Sequence, residues 1–169
     1  GQDGPYAQRA GYDFMIQGLG GLMDITGQPG GEPTKVGVAV ADIVTGIYAT
    51  TGILAALRQR DATGEGSHVD MALLDTTVAL LQNHAMNHLI GGVKPKRMGN
   101  AHANIVPYQV VPVSDGHIII ATGNDGQYHR LCEVLGVPEL ATDPRFAENA
   151  GRVGLREHRE PAFLHRELL

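Results

Sequence analysis

A long apolar segment, Lys35–Arg60, constrains the fold of this chain more than any other stretch. Its sequence is KVGVAVADIVTGIYATTGILAALRQR, in which large aliphatic residues recur at the spacing of one helical face. These residues are Ile43, Ile47, Ile53, Leu54 and Leu57. Arg58 and Arg60 load the last turn with the positive charge that a helix C-terminus favours, and Gly64 is a typical left-handed cap. The segment therefore predicts one long helix.

One carboxylate, that of Asp42, lies at the start of this predicted helix. Aspartate is a preferred N-cap residue because its oxygen accepts hydrogen bonds from first-turn amides that have no partner within the helix. From the residues alone, helix capping is the simplest interpretation of Asp42. Amides at a helix start can also orient a carboxylate, so capping and a chemical role are compatible.

Composition limits the class of protein. With 43% hydrophobic and 18% charged residues, the 169-residue chain can bury a core as one domain or as parts of two. Its formal net charge is -5 and its basic residues are dispersed, which argues against a nucleic-acid partner. Gly, Thr or charged residues interrupt each apolar run short of the roughly 20 residues of a membrane span, so no membrane partner is expected.

The single cysteine and the two ends of the chain lead to two further expectations. Cys132 has no partner for an internal disulfide, and no signal peptide is visible, so we expect a reducing, cytoplasmic location. The chain opens at Gly1 in the turn-rich stretch GQDGPY and stops at HRELL in a pattern typical of a helix interior. We therefore expect the chain to be an excerpt of a longer protein.

The first half of the chain reads as alternating helices and strands. Residues 13–25 predict a helix that runs through glycines 18, 20 and 21, which implies tight packing against a neighbour. After the long helix, His68–Met71 predicts a short strand and Leu73–Ile90 a helix. This succession predicts an α/β layer.

The stretch GGVKPKRMGN, residues 91–100, marks a change in composition and a predicted domain boundary. Its three positive charges, Lys94, Lys96 and Arg97, either contact phosphates or merely solvate a linker, and the residues alone leave both interpretations open. We place the boundary between Lys94 and Pro95, which gives parts of two domains, residues 1–94 and 95–169.

The second part predicts a small α+β unit. Ile105–Val113 and His117–Thr122 predict a hairpin that turns at residues 114–116. A helix over Asp125–Leu135, closed by Gly136 and with Cys132 on its inner face, follows the hairpin. A turn, a short helix and a longer helix complete the unit.

Two further groups of polar residues carry little chemical signal. His84 and His88 have the four-residue spacing of helical metal ligands, but the Glu of an HExxH motif and a third ligand are missing. We therefore predict no metal site. Asp70 and Asp75 flank a predicted junction between strand and helix, where capping and surface roles are favoured.

Several stretches in sequence order carry a family resemblance: GQDGPYAQRAGYD, LMDITGQPGGEPTKVGVAVADIVTGIYATTGILAAL, RDATGEGSHVDMALLD, RMGNAHANIVPYQ and DPRFAENAGRV. Together they resemble the class III coenzyme A transferase family, which includes formyl-CoA and carnitine CoA transferases and α-methylacyl-CoA racemase. The chain resembles only the middle of the longer family members. The resemblance implies part of a Rossmann-like large domain, then part of a small domain, in an interlocked homodimer.

The resemblance assigns a nucleophile. VADIVTG matches the family's AD-x-x-TG motif, which makes Asp42 the implied nucleophile that forms covalent aspartyl intermediates during CoA transfer. The implied substrates are an acyl-CoA donor and a small carboxylic acid, with a dicarboxylate such as succinate fitting well. Coenzyme A is a substrate in this chemistry, and no metal or prosthetic group is implied.

The same resemblance places Arg9, Ala10, Gly11, Tyr12 and Asp13 on the CoA-facing wall. Family racemases carry a histidine at the position of Tyr12. A tyrosine, with an ordinary pKa near 10, is a poor proton acceptor at neutral pH, so transferase is favoured over racemase. Some members have a basic residue at the position of Ala10, and Arg9 is the candidate to replace its phosphate contact.

The stretch RMGNAHAN resembles the loop that closes over the active site in transferases. The resemblance implies substrate contacts from Arg97, Gly99, Asn100, His102 and Asn104, with His102 or Asn104 bonding the distal carboxylate of the acyl group. The loop has fewer glycines than in formyl-CoA enzymes, which argues against oxalate and formate as substrates. A racemase-like enzyme, a thioesterase and an inactive structural fragment remain open as alternatives.

Overall fold

The computed structural model describes residues 1–158, so the expected helix end at residues 165–169 lies outside the described part. The chain divides into two compact units, Gly1–Gly99 and Asn100 onward. This division falls in the connecting stretch where the sequence placed a boundary after Lys94. Each unit is described by itself below, and their assignment to a large and a small domain stays a prediction.

The first unit consists of helices: α1 Asp13–Leu19, α2 Leu22–Ile25, α3 Val40–Thr63, α4 Leu73–Ala79 and α5 Gln82–Leu89. The prediction of one helix through residues 13–25 is wrong, because the chain breaks between α1 and α2 at Gly21, whose φ is 84°. The tight packing predicted for these glycines is confirmed at Gly20. A Cβ there would lie 2.8 Å from Cγ2 of Thr77 in α4.

The long helix α3 is confirmed, and so is its glycine end. Gly64 has a φ of 80°, and its amide donates to the carbonyl of Arg60 at 2.7 Å. The capping role considered for Asp42 is wrong. Ala39 is the N-cap and offers no side-chain bond, and Asp42 is the third residue of the helix.

The apolar face of α3 is exposed in the described part of the chain. Ile47 is 61% exposed and Leu54 is 62% exposed, and Ala41 is the fully buried residue of this helix. By length and composition α3 qualifies as a membrane span, so the sequence-based exclusion of such a segment is wrong on those two criteria. One helix of this kind is weak support for a membrane protein, because long helices of soluble proteins pass the same test.

The predicted strand at His68–Met71 is wrong. This segment has no sheet partner and runs past α3, where a Cβ on Gly52 would lie 3.0 Å from Cγ1 of Val69. The helix predicted after it is broken between α4 and α5, at Gln82, whose φ is 40°. Residues 1–99, all of them described, contain no strand, and the Rossmann-like layer of the full protein stays a prediction.

The second unit combines a hairpin with three helices, as predicted. Strands β1 Tyr108–Val113 and β2 Gly116–Ala121 pair antiparallel, with Tyr108 opposite Ala121 and Val113 opposite Gly116. The helices are α6 Asp125–Val134, α7 Glu139–Thr142 and α8 Asn149–His158. The mixture of helices and a small sheet confirms the α/β class in its coarse form.

The core of the second unit lies between α6 and the segment after it. Tyr128, Cys132, Ala141 and Phe146 form its buried cluster, which confirms the predicted inward position of Cys132. Burial and a hydrogen bond with Cys132 raise the pKa of Tyr128 above its ordinary value. Gly136 ends α6 in the left-handed region, with a φ of 74°.

Candidate active site

The Asp42 side chain is exposed in the first turn of α3. Among the described residues its carboxylate has no hydrogen-bond or ion-pair partner, so both oxygens are available to a substrate. Two amides near the start of the helix are already used: that of Val40 donates to the Val38 carbonyl at 2.8 Å, and that of Ala41 donates to Oδ1 of Asp13 at 2.9 Å. The first turn therefore presents a free carboxylate on a backbone that other groups hold.

Asp13 and Gln17 hold that backbone from α1. Oδ2 of Asp13 accepts from Nε2 of Gln17 at 2.8 Å, and Oε1 of Gln17 accepts from the Val36 amide at 2.8 Å. Gln17 is 0% exposed. This pair connects α1 to both ends of the segment that enters α3. The sequence analysis missed Gln17, whose one available signal was its four-residue spacing from Asp13 on a predicted helix.

Two threonines tie the first turn of α3 to α4. The Thr45 hydroxyl donates to the Ala41 carbonyl at 2.7 Å and lies 2.6 Å from the hydroxyl of Thr76. Because each hydroxyl has one proton and that of Thr45 goes to Ala41, the Thr76 hydroxyl is the donor between the two threonines, and the Leu73 carbonyl oxygen lies 3.1 Å from it. Thr45, the threonine of the VADIVTG motif, therefore joins two helices directly behind Asp42.

Three of the five residues implied for the CoA-facing wall line a common pocket, and the other two do not. Arg9, Ala10 and Gly11 line an open pocket of about 860 Å³, whose other walls include Tyr6, Met15, Ile16, Leu73 and Leu74. The Arg9 guanidinium lies over the Tyr6 ring at 4.3 Å from its centroid. Tyr12 is 70% exposed at the start of α1, and Tyr12, Asp13 and Asp42 do not line this pocket.

Arg97 and Gly99 are hydrogen-bonded to Asp24 and Gly27 in the first unit. Nη1 of Arg97 donates to the Asp24 carboxylate at 3.2 Å and to its carbonyl at 3.3 Å. The Gly99 amide donates to the Gly27 carbonyl at 2.9 Å. Arg97 thus has a carboxylate partner already, whereas Lys94 and Lys96 are exposed.

His102 and Asn104 belong to the second unit, as does the exposed Asn100. Nδ1 of His102 accepts from the Asn104 amide at 3.0 Å, and the His102 ring packs against Tyr108 with centroids 5.2 Å apart. Because a backbone amide can only donate, Nδ1 carries no proton and the neutral ring is protonated on Nε2. The loop therefore offers an imidazole N–H as a donor.

A face of α8 holds this loop by its carbonyls. Nη1 and Nη2 of Arg156 donate to the carbonyls of His102 and Ala103 at 2.6 and 2.7 Å, and Nδ2 of Asn149 donates to the Asn104 carbonyl at 2.8 Å. Nε of the buried Arg152 donates to the Val106 carbonyl at 2.7 Å. Sequence analysis missed these roles, although positions 149, 152 and 156 have the spacing of one helical face.

The described residues contain no cluster of three or more His, Cys, Asp and Glu side chains that could hold a metal ion. His84 and His88 both lie on α5, as their spacing predicted. That CoA chemistry here proceeds without a metal stays a prediction.

Comparison with known proteins identifies the family. The model of CoA-transferase family III matches residues 1–167. The chain belongs to CoA-transferase family III. This confirms the resemblance of its motifs to class III transferases.

Two curated relatives are named as CoA-transferases. The chain is 58% identical over 153 residues to "Succinate--glutarate CoA-transferase" from Agrobacterium fabrum, covering 90% of this chain and 38% of that protein. It is 42% identical over 154 residues to "Acetyl-CoA:oxalate CoA-transferase" from Acetobacter aceti. That match covers 90% of this chain and 40% of that protein. The chain therefore spans about two-fifths of the length of these relatives.

A solved structure gives the same fold class. A CaiB/BaiF family protein from Brucella suis is 56% identical with a TM-score of 0.71, and the match covers 99% of this chain and 44% of that one. The mixture of helices and a small sheet thus matches that of a CaiB/BaiF family protein.

Proposed function

We propose that the full-length protein transfers coenzyme A between an acyl-CoA donor and a free carboxylic acid, with Asp42 as the nucleophile. The observation that carries this proposal is the free, exposed carboxylate of Asp42 in the first turn of α3, within a chain of family III. The surrounding backbone is fixed by Asp13 and by Thr45, which suits a group that must meet a carbonyl carbon repeatedly in one geometry.

The proposed exchange proceeds through covalent steps. An oxygen of Asp42 attacks the thioester carbonyl carbon and the C–S bond breaks, so that CoA leaves as a thiolate and Asp42 is joined to the donor acyl group in a mixed anhydride. The thiolate attacks the Asp42 carbonyl carbon, which releases the donor as a carboxylate and leaves an aspartyl-CoA thioester. The acceptor carboxylate then attacks that thioester, and the same steps in reverse give the new acyl-CoA and the free Asp42 carboxylate.

Charge builds up on the former carbonyl oxygen during each attack. An amide at a helix start is suited to stabilise it. The amides of Val40 and Ala41 are already hydrogen-bonded, which leaves the amide of Asp42 itself as the candidate donor in the first turn. Tyr12, exposed at the start of α1, is suited to donate a hydrogen bond to a carbonyl or carboxylate of the substrate.

A dicarboxylic acid is the substrate class we propose. The 58% identical relative carries succinate and glutarate in its name, both of which are dicarboxylates. The contact of His102 with a distal carboxylate, which the family resemblance implies, stays a prediction, and the imidazole N–H is the donor that it would use. The sequence argued against oxalate, yet a 42% identical relative is named for that acid, so oxalate belongs in the test panel. We also propose that the full-length protein is a cytoplasmic homodimer. Coenzyme A is its substrate, and the reaction needs no metal or prosthetic group.

The test is trapping of the aspartyl intermediate in the full-length protein. The enzyme is incubated with succinyl-CoA and then hydroxylamine, and its peptides are compared by mass spectrometry with those of Asp42→Asn and Asp42→Ala. We expect a hydroxamate on Asp42 of the wild-type protein. Because both variants lack the nucleophile, we expect the transfer rate to succinate, glutarate or oxalate to fall by roughly 1,000-fold or more.

Asp61→Asn is the matched control, since Asp61 is an exposed residue of the same helix paired with its neighbour Arg60. Its activity should equal that of the wild type. A hydroxamate at another residue, or transfer that survives Asp42→Ala, would refute the assignment. Exchange of an α-proton with deuterated solvent would instead indicate a racemase, and CoA release without an acceptor acid would indicate a thioesterase.

A further inference from the structure

The hydrogen bonds of Asp13 have a fixed polarity. Its Oδ1 accepts from the Ala41 amide at 2.9 Å and its Oδ2 accepts from Nε2 of Gln17 at 2.8 Å. The far end of Gln17 accepts from the Val36 amide at 2.8 Å. The two backbone amides can only donate, so the pair between them must offer an acceptor at each end. A carboxylate at position 13 and an amide at position 17 meet this requirement.

Burial makes the requirement strict. Gln17 and Ala41 are each 0% exposed. A buried amide that loses its acceptor cannot turn to water, and it bears the full cost of desolvation. Asp13 is therefore bound to the segment that enters α3 rather than free to turn toward a ligand.

The position of the bond matters for catalysis. Ala41 immediately precedes Asp42, and its amide is one of the first-turn donors that have no partner within α3. Asp13 accepts that bond from a different helix, 28 residues away, in place of the missing N-cap side chain at Ala39. A negative carboxylate also suits the positive end of the helix macrodipole.

We propose that Asp13 is a positioning residue for Asp42, acting with Gln17 as a tertiary cap that sets the direction of the first turn of α3. This inference rests on the proposed function, because its value lies in aiming the nucleophile. It replaces the substrate-binding role that the family resemblance implied for Asp13. The bond that Asp13 accepts from Ala41 fixes the backbone, and the backbone aims the Asp42 carboxylate.

The reciprocal exchange of the two side chains tests the polarity argument. In full-length Asp13→Asn, the new amide faces Nε2 of Gln17. If Gln17 turns its side-chain amide over, its Nε2 faces the Val36 amide instead. In either orientation, therefore, two hydrogen-bond donors face each other. The double variant Asp13→Asn with Gln17→Glu restores an acceptor at each end. Asp61→Asn, the same substitution at the exposed end of α3, is the control.

Three readouts are taken on these proteins: kcat and KM for acyl-CoA, the rate of Asp42 trapping, and hydrogen exchange of the peptide spanning residues 36–43. In Asp13→Asn we expect kcat and the trapping rate to fall roughly 10- to 100-fold, because a small misplacement of a reacting group costs that much. KM should stay within about threefold, and exchange at residues 36–43 should quicken. The double variant should recover at least part of kcat and of the protection.

Three results overturn the inference: a wild-type kcat in Asp13→Asn, a raised KM with unchanged kcat, or no recovery in the reciprocal variant. A raised KM alone would return Asp13 to the substrate-binding role. If the wild-type enzyme transfers no CoA from any donor, the proposed function fails. Hydrogen exchange then still decides whether Asp13 holds the start of α3.

Discussion

At the scale of single residues, the contact between α1 and α4 depends on the missing side chain of Gly20. A Cβ at this position would lie 2.8 Å from Cγ2 of Thr77 and 2.9 Å from the Ile16 carbonyl oxygen. Thr77 is 0% exposed, so it has no solvent-filled space into which to retreat. The close approach keeps α1, which carries Asp13 and Gln17, against the helix that also contacts α3.

We expect Gly20→Ala to lower the free energy of unfolding of the full-length protein by about 1–3 kcal/mol, the usual cost of overpacking. The matched control is Gly18→Ala. A Cβ on Gly18 would meet Sδ of Met23 at an ordinary 3.6 Å, inside helix α1. Alanine there should stabilise the protein by up to about 1 kcal/mol. Urea unfolding of both variants is the measurement, and equal effects of the same sign would contradict the packing argument.

At the scale of elements, α8 organises the second unit through one arginine. Arg152 is 4% exposed, and its guanidinium donates to the carbonyls of Val106 at 2.7 Å and Phe146 at 2.6 Å. It also pairs with Asp125 at 2.7 Å and lies over the Tyr128 ring at 4.2 Å. One planar fork thus connects the approach to β1, helix α6 and the segment before α8.

Lysine cannot reproduce this fork, so Arg152→Lys leaves buried carbonyls without donors. We expect it to lower the free energy of unfolding by about 3 kcal/mol. Arg145→Lys is the matched control, because Arg145 pairs with Asp143 at an exposed site. Its hydrogen bonds hold the pKa of Asp143 below the ordinary value, yet solvent screens surface pairs of this kind and they contribute little to stability.

Thermal and urea unfolding of full-length Arg152→Lys and Arg145→Lys measure the difference. Similar, small effects of the two substitutions would show that the buried fork is unimportant. Because Arg156 and Asn149 extend from the same helix to the loop of His102 and Asn104, loosening of α8 should also quicken hydrogen exchange in that loop.

At the scale of the whole molecule, helix α3 leaves a row of large apolar side chains exposed in the described part of the chain. Large aliphatic side chains along this helix are 40–62% exposed, whereas monomeric proteins rarely expose contiguous apolar patches of this kind. They are Ile43, Ile47, Ile53, Leu54 and Leu57. The chain spans 38% of its 58% identical relative. We expect the rest of the assembled protein to cover this face.

Leu54→Ala in the full-length protein tests that expectation. If Leu54 is covered there, the substitution should lower the free energy of unfolding by about 2–4 kcal/mol, as for a core leucine. Val134→Ala is the control, since Val134 is a helical residue that is 83% exposed, and it should change stability by under about 0.5 kcal/mol. Equally small effects at both positions would mean that the α3 face stays exposed.

The sequence by itself determined the elements whose signals are local. Helix α3 with its Gly64 end, the hairpin, whose turn was predicted at residues 114–116 and lies between Val113 and Gly116, and α6 closed by Gly136 all follow from neighbours within a few positions. The candidate nucleophile was assigned only through the resemblance of a short motif, VADIVTG, to a known family, and that assignment stays a proposal. Capping, turn formation and helical periodicity act over one or two turns of chain, so a single sequence carries them.

Only the tertiary structure decided the contacts between distant residues. It assigned the cap of α3 to Asp13 rather than Asp42, broke the helices at Gly21 and Gln82, and left His68–Met71 without a sheet partner. Each outcome depends on which surface lies opposite, as the 28-residue separation of Asp13 and Ala41 illustrates. Local propensity differs by about 1 kcal/mol or less between most conformations, and one buried hydrogen bond or close contact is enough to override it.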